Sequence, residues 1–221
     1  MNQGLRKFSL TTHITLAVGW IGGALAYLIL VAAAMTSEDL LTLRAAWIGI
    51  EMIGWYLIVP LAVTSLLTGL VMSVGTPWGL LRHYWVLISL VLTTVATAVL
   101  LQHMPTVSAF ARVAAEPAIA DVGALRAGLR GELLHAGLGL LVLFMIEALN
   151  VYKPLGMTAY GRRRVPQGTM ATRSAADVGA RPAWASTSRT PRWVQVVGFH
   201  AIGLALLFVI MHLITGGVTH H

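Results

Sequence analysis

Eight histidines and no cysteine decide what chemistry this chain of 221 residues can carry. The lack of thiols excludes disulfide frameworks, iron–sulfur clusters, thiolate zinc sites and cysteine nucleophiles, and leaves imidazole as the principal soft ligand. Six of the histidines, His13, His83, His103, His135, His200 and His212, fall within or at the edges of long apolar stretches. An imidazole in hydrocarbon needs a partner, and a b-type haem iron supplies one to each of two facing histidines while its porphyrin fills an apolar cleft. Small residues that would let a flat macrocycle approach a helix stand close by: Gly19, Gly22 and Gly23 after His13, Gly137 and Gly139 after His135, and Gly198 and Gly203 around His200.

The elements that must position these side chains are membrane helices. Hydrophobic residues make up 57% of the chain, charged residues 10%, and the mean hydropathy is +0.78, far from the roughly 25% charge of a soluble domain. Apolar runs at about 13–35, 45–72, 83–104, 133–151 and 194–216 are each long enough to cross a bilayer. The predicted fold is therefore all-α, an integral membrane helical bundle. Residues 1–156 form a four-helix transmembrane core, 157–192 a basic cytoplasmic linker, and 193–221 a fifth transmembrane helix. The first run resembles a signal peptide, with Ala32, Ala33 and Ala34 as a cleavage site, but is longer than such a segment needs and reads as an uncleaved anchor. The mixed segment 105–130, with Arg112, Glu116, Asp121 and Arg126, reads as a short helix lying at the surface.

Cationic loops stay in the cytoplasm. With the N-terminus inside, Arg6, Lys7, Arg82, Lys153, Arg162, Arg163, Arg164, Arg173, Arg181, Arg189 and Arg192 are cytoplasmic, and Arg44, Arg112, Arg126 and Arg130 are outside with the C-terminus. Trp47, Trp78, Trp85 and Trp193 near span ends suit interfacial anchoring. The formal charge of +7 follows from this topology, so nucleic acid is not implied as a partner. Arg162 to Arg164 would also attract anionic lipid, although a topology signal explains them as well. The predicted location is a bacterial plasma membrane, multi-pass.

That topology sorts the histidines into two layers. His13, His83 and His200 lie toward the cytoplasm, and His103, His135 and His212 toward the outside. His200 and His212 are about 18 Å apart along one helix, a spacing that could hold two redox centres in series. First and third helices of an up-and-down bundle are diagonal neighbours, which makes His13 with His83 an inner pair; His135 pairs with His103 or His212 in the outer layer. Two observations weigh against ligation. Glycine also serves plain helix packing, and His83 beside Arg82 and His103 beside Pro105 suit interfacial bystanders. His220 and His221 read as a tag remnant or frayed terminus.

Glu51, about 10 Å inside the boundary set by Arg44, could relay a proton to a quinone or a haem propionate; Glu147 lies about 9 Å from Lys153. Both could equally snorkel or pair with arginine. Pro60 deprives the Tyr56 carbonyl of its helical donor, so a kink is expected, with Trp55 and Tyr56 lining the cleft it opens. Nucleotide-binding and hydrolase motifs are absent.

The stretch His13-Ile-Thr-Leu-Ala-Val-Gly-Trp20-Ile-Gly22-Gly23 resembles the opening helix of copper-resistance D-type membrane domains and membrane protoporphyrinogen oxidases, both treated as relatives of b-type cytochromes. Gly75-Thr-Pro-Trp-Gly-Leu-Leu-Arg-His-Tyr-Trp85 and Val151-Tyr-Lys-Pro-Leu-Gly-Met-Thr-Ala-Tyr-Gly-Arg-Arg163 resemble an uncharacterised family of actinobacterial small polytopic membrane proteins, over about residues 5–164. The resemblance implies a four-helix core and a membrane location, puts His13, His83 and His135 at positions of interest, and implies no activity. Three functions follow as expectations: a haem b protein for transmembrane electron transfer or redox sensing, with quinone or a membrane redox partner; a copper or small-solute transporter; and a cofactor-free scaffold or accessory subunit. A homodimer suits any of them, and the sequence leaves open whether the chain is an enzyme.

Overall fold

The computed structural model describes residues 2–75, 82–116 and 122–152, with Thr158 and Gly203 besides. Apart from Thr158 and Gly203, the predicted linker and the predicted fifth helix, with His200, His212, His220 and His221, lie outside the described residues. Four helices among the described residues are long and apolar enough to cross a membrane: 3–36, 40–75, 84–115 and 122–152. In chain order they comprise α1 (Gln3–Thr36), α2 (Leu40–Ile53), a five-residue π turn (Gly54–Ile58), α3 (Val59–Gly75), α4 (Tyr84–Ala115) and α5 (Val122–Tyr152).

The helices run up and down around a square. α1 packs against α2, α3 and α5, and α4 packs against the same three, so α1 and α4 face each other across the diagonal. The near end of the bundle carries Arg6 and Lys7, and the far end carries the 37–39 link. Buried positions on α1, Ala17, Trp20, Ala24, Tyr27, Val31 and Ala34, recur at helical spacing and form one inward stripe. The outer faces are apolar too: Phe8 is 69% exposed, Val18 60% and Ile29 68%. Such a surface suits hydrocarbon better than water.

Local chemistry sets the helix ends. Asn2 caps α1 by accepting the Leu5 N–H at 2.8 Å. Asp39 caps α2, accepting the N–H of Leu41 at 3.2 Å and of Thr42 at 2.9 Å and the Thr42 hydroxyl at 2.8 Å. These donors, the Thr42 hydroxyl first, hold the Asp39 carboxyl below its ordinary value. A carboxyl depressed on folding contributes stability above its unfolded pKa and loses it as pH falls through the folded one. Acid titration of the folded protein should therefore show a destabilising step below about pH 4 that the replacement Asp39→Asn, which keeps an accepting oxygen, removes. An unchanged acid profile in that variant would assign the step to another group.

At the far end two arginines bind carbonyls left over at helix termini. Arg44 donates from Nε to the Ala114 carbonyl at 2.7 Å and from Nη2 to that of Ala115 at 3.1 Å. Arg126 donates to the carbonyls of Ser37 at 2.9 Å and Glu38 at 3.1 Å.

One expectation needs correction. Residues 105–130 do not form a surface helix: α4 runs straight through Pro105 to Ala115, and α5 starts at Val122. The reason is that Val107, Ala111 and Ala114 continue the buried stripe of α4 at helical spacing, while Pro105 itself is exposed. Pro60, where a kink is expected, stands beside a second departure from α geometry. It follows the π turn, in which Val59 N–H reaches back five residues to the Gly54 carbonyl. Gly54 lies so close to α4 that an added Cβ would stand 2.5 Å from the Met104 methyl.

Candidate functional site

The histidine layer toward the far end is built on a buried carboxylate. Glu132 on α5 is 3% exposed and is hydrogen-bonded from two neighbouring helices, α1 and α4. The Tyr27 hydroxyl on α1 donates to Oε2 at 2.6 Å, and His103 Nε2 on α4 lies 3.0 Å from Oε1 and 3.1 Å from Oε2. The His135 ring stacks on the His103 ring, with centroids 3.7 Å apart and planes 15° from parallel. Glu132 and His135 share one face of α5 because they are three residues apart. A cleft of about 70 Å³ adjoins the cluster; Trp20, Ala24, Leu100, Met104, Gly139 and Leu143 are among its walls.

The layer at the near end is a larger chamber. A cavity of about 540 Å³ at the near end lies between α1, α3, α4 and α5, with Arg6, Lys7, His13, Ser89, Glu147 and Asn150 among its lining residues. The Thr68 hydroxyl fixes the His13 ring, 3.0 Å from Nδ1. Thr68 Oγ1 is itself within donating distance of the carbonyls of Thr64 at 2.9 Å and Ser65 at 3.0 Å. With its proton on either carbonyl the hydroxyl oxygen accepts, the arrangement in which His13 carries its proton on Nδ1 and its lone pair on Nε2. Gly69 makes the ring position possible, since a Cβ there would stand 3.2 Å from His13 Cε1. Ser89 is 7% exposed, and its hydroxyl has no hydrogen-bond partner among the described residues. A buried polar group without a partner is rare enough to point to something that binds it.

The predicted site residues divide accordingly. His103 and His135 meet, face to face rather than across a gap. His13 lines the near-end cavity, whereas His83 stands at the N-cap of α4, its ring centroid 6.4 Å from that of Trp85, and is not among the cavity's lining residues. Glu51 is half-buried on α2 and lines neither cavity. Trp55 and Tyr56 turn outward, Tyr56 82% exposed, and the Trp55 indole donates to the Ser108 hydroxyl at 3.0 Å. Glu132 and Tyr27 were not expected. Glu132 falls one residue before the apolar run 133–151, and only its spacing from His135 signals it; Tyr27 carries no such signal.

Imidazoles that share one metal direct their in-plane lone pairs at it from about 2 Å. The lone pairs of stacked rings run side by side and do not converge, so His103 and His135 as placed do not hold one iron between them. Among the described residues no group of three or more His, Asp or Glu is disposed to hold a metal ion. No family model matches the chain, and neither a curated protein nor a solved structure matches it.

Proposed function

We propose that the chain is a multi-pass protein of a bacterial plasma membrane, N-terminus in the cytoplasm, that binds a redox-active ring compound of the quinone class in the inner cavity. His13 and Glu147 exchange protons with it. The observation that carries this reading is the cavity itself. Its volume of about 540 Å³ falls in the range of small-molecule sites, about 300–1,000 Å³. The unpartnered Ser89 hydroxyl offers a donor to a ring carbonyl. The Nε2 lone pair of His13 and the carboxylate of Glu147 offer acceptors for the hydroxyl protons of the reduced ring.

A second reading, haem b, is favoured by the contact of His13 with Thr68. A ligating histidine typically donates its other ring N–H to a neighbour, and Thr68 Oγ1, 3.0 Å from Nδ1, is placed to accept it. His13 would hold the iron, and Arg6 and Lys7, also lining the cavity, would take the propionates. The haem would supply one-electron chemistry. The resemblance to relatives of b-type cytochromes supports either redox reading.

Solvent extraction of the purified protein, with optical spectra before and after reduction, tests both. A quinone spectrum, present at about one per chain and reduced roughly tenfold in His13→Ala, supports the first reading. A Soret band lost in the same variant supports the second. Folded protein with neither chromophore would sink both. Ser89→Ala gives an independent sign: it should weaken quinone binding yet stabilise the ligand-free protein, because an orphaned hydroxyl is removed.

A further inference from the structure

We propose that Tyr27, His103, Glu132 and His135 form the far half of a proton path whose near half is the cavity around His13 and Glu147, with Trp20 and Leu143 closing the path between them. Two observations carry this independently of whatever ring compound binds at the near end.

The first is the succession of cavities. A small pocket of about 20 Å³ shares His13, Ala17, Thr93, Glu147 and Asn150 with the large near cavity. It shares Trp20 and Leu143 with the cleft beside His103 and His135. Trp20 is 5% exposed, and its side chain and that of Leu143 are the wall common to both spaces. Proton-accepting groups stand on each side of that wall. His135 and Glu147 lie on one helix about 18 Å apart along its axis, too far for direct transfer but within reach of a few ordered waters once the wall moves.

The second is the chemistry of the far cluster. Apolar packing would fill the centre of a membrane bundle with less penalty than a carboxylate, a phenol and two imidazoles drawn from three helices. Within the cluster a proton can move without net charge displacement far from its partner. The N–H bond at His103 Nε2 breaks as an O–H bond forms on Glu132 along the 3.0 Å contact, leaving a neutral imidazole and a neutral carboxyl. Glu132 lies about 9 Å along α5 from Arg126, which sits at the far rim, so release on that side crosses fewer than two helical turns.

The test uses the full chain reconstituted in phosphatidylcholine–phosphatidylglycerol vesicles loaded with a pH-sensitive dye, with a potassium diffusion potential set by valinomycin. No redox compound is present, so failure here and failure to find a bound ring compound remain separate results. Wild-type protein should leak protons little faster than empty vesicles. Trp20→Ala should raise the proton flux roughly tenfold as water enters the vacated space, and adding Glu132→Gln to that variant should return the flux to about the wild-type level by removing the titratable group. Leu143→Ala opens the same wall from α5 and serves if Trp20→Ala does not fold. Unchanged flux in folded open variants overturns the path. So does a raised flux that Glu132→Gln leaves intact, or one that also passes choline, since either describes a mere hole.

Discussion

Replacing Glu132 by alanine should lower the stability of the folded bundle by about 3 kcal/mol, the lower part of the range for removing one partner of a buried ionic pair. The loss arises because the Tyr27 hydroxyl and the His103 ring, each bonded to this carboxylate, would be left buried without it. Tyr27→Phe removes one neutral donor and leaves the His103 contact, so its effect should be about 1 kcal/mol. Unfolding equilibria of the three proteins in one detergent decide the matter. If Glu132→Ala proved as mild as Tyr27→Phe, the carboxylate would not be the hub of the cluster, and water would have to be bonding the other members. The prediction is separate from the proton path: a static polar knot would show the same ranking, and only the flux measurement distinguishes a route from a knot.

Trp47→Ala should have a still larger effect, about 4 kcal/mol, as expected when a fully enclosed aromatic ring is deleted. Trp47 is 0% exposed at the far end of the bundle. Its ring stacks on Phe110 with centroids 4.7 Å apart and planes 19° from parallel, and its indole donates to the Leu125 carbonyl at 3.3 Å. One side chain on α2 thereby ties the ends of α4 and α5 together. Trp47→Phe keeps a ring against Phe110 and loses the hydrogen bond, which should be worth about 1 kcal/mol. The two variants should also leave binding in the near cavity unchanged wherever the protein remains folded, because Trp47 lines neither cavity. Loss of that binding in folded Trp47→Phe would mean that the two ends of the bundle are coupled.

Hydropathy alone located four helices, because roughly 20 apolar residues in a row have few other uses. It failed at residues 105–130, where Arg112, Glu116, Arg126 and Arg130 interrupt the apolar run. The surviving signal there was periodic: Val107, Ala111 and Ala114 repeat at helical spacing, and a helix that keeps one apolar stripe can carry charge on its other faces. Height along the bundle axis was equally legible, and it set His103 level with His135. Rotation about the helix axis was not. Height also set His13 level with His83, yet His83 stands at a helix cap outside the cavity that His13 lines. Glu132 escaped notice because a boundary drawn from average hydropathy passed one residue from it. Tyr27 could not be singled out, since nothing separates a tyrosine that donates to a buried carboxylate from one that fills space until the opposing helix is known.

At 1.5 Å per residue, the 34 residues of α1 extend about 51 Å, whereas bilayer hydrocarbon is only about 30 Å thick. Set upright in such a film, the helices would stand proud of it, and the Arg44 and Arg126 clamps with the Trp47 knot beneath them suit the protruding end. That end would then be stitched by aqueous rules, apolar side chains gathered beneath a polar lid, while the middle obeys the rules of oil. The two halves should consequently yield to different reagents: urea should loosen the knot first, and shortening the detergent tail should disturb the middle first.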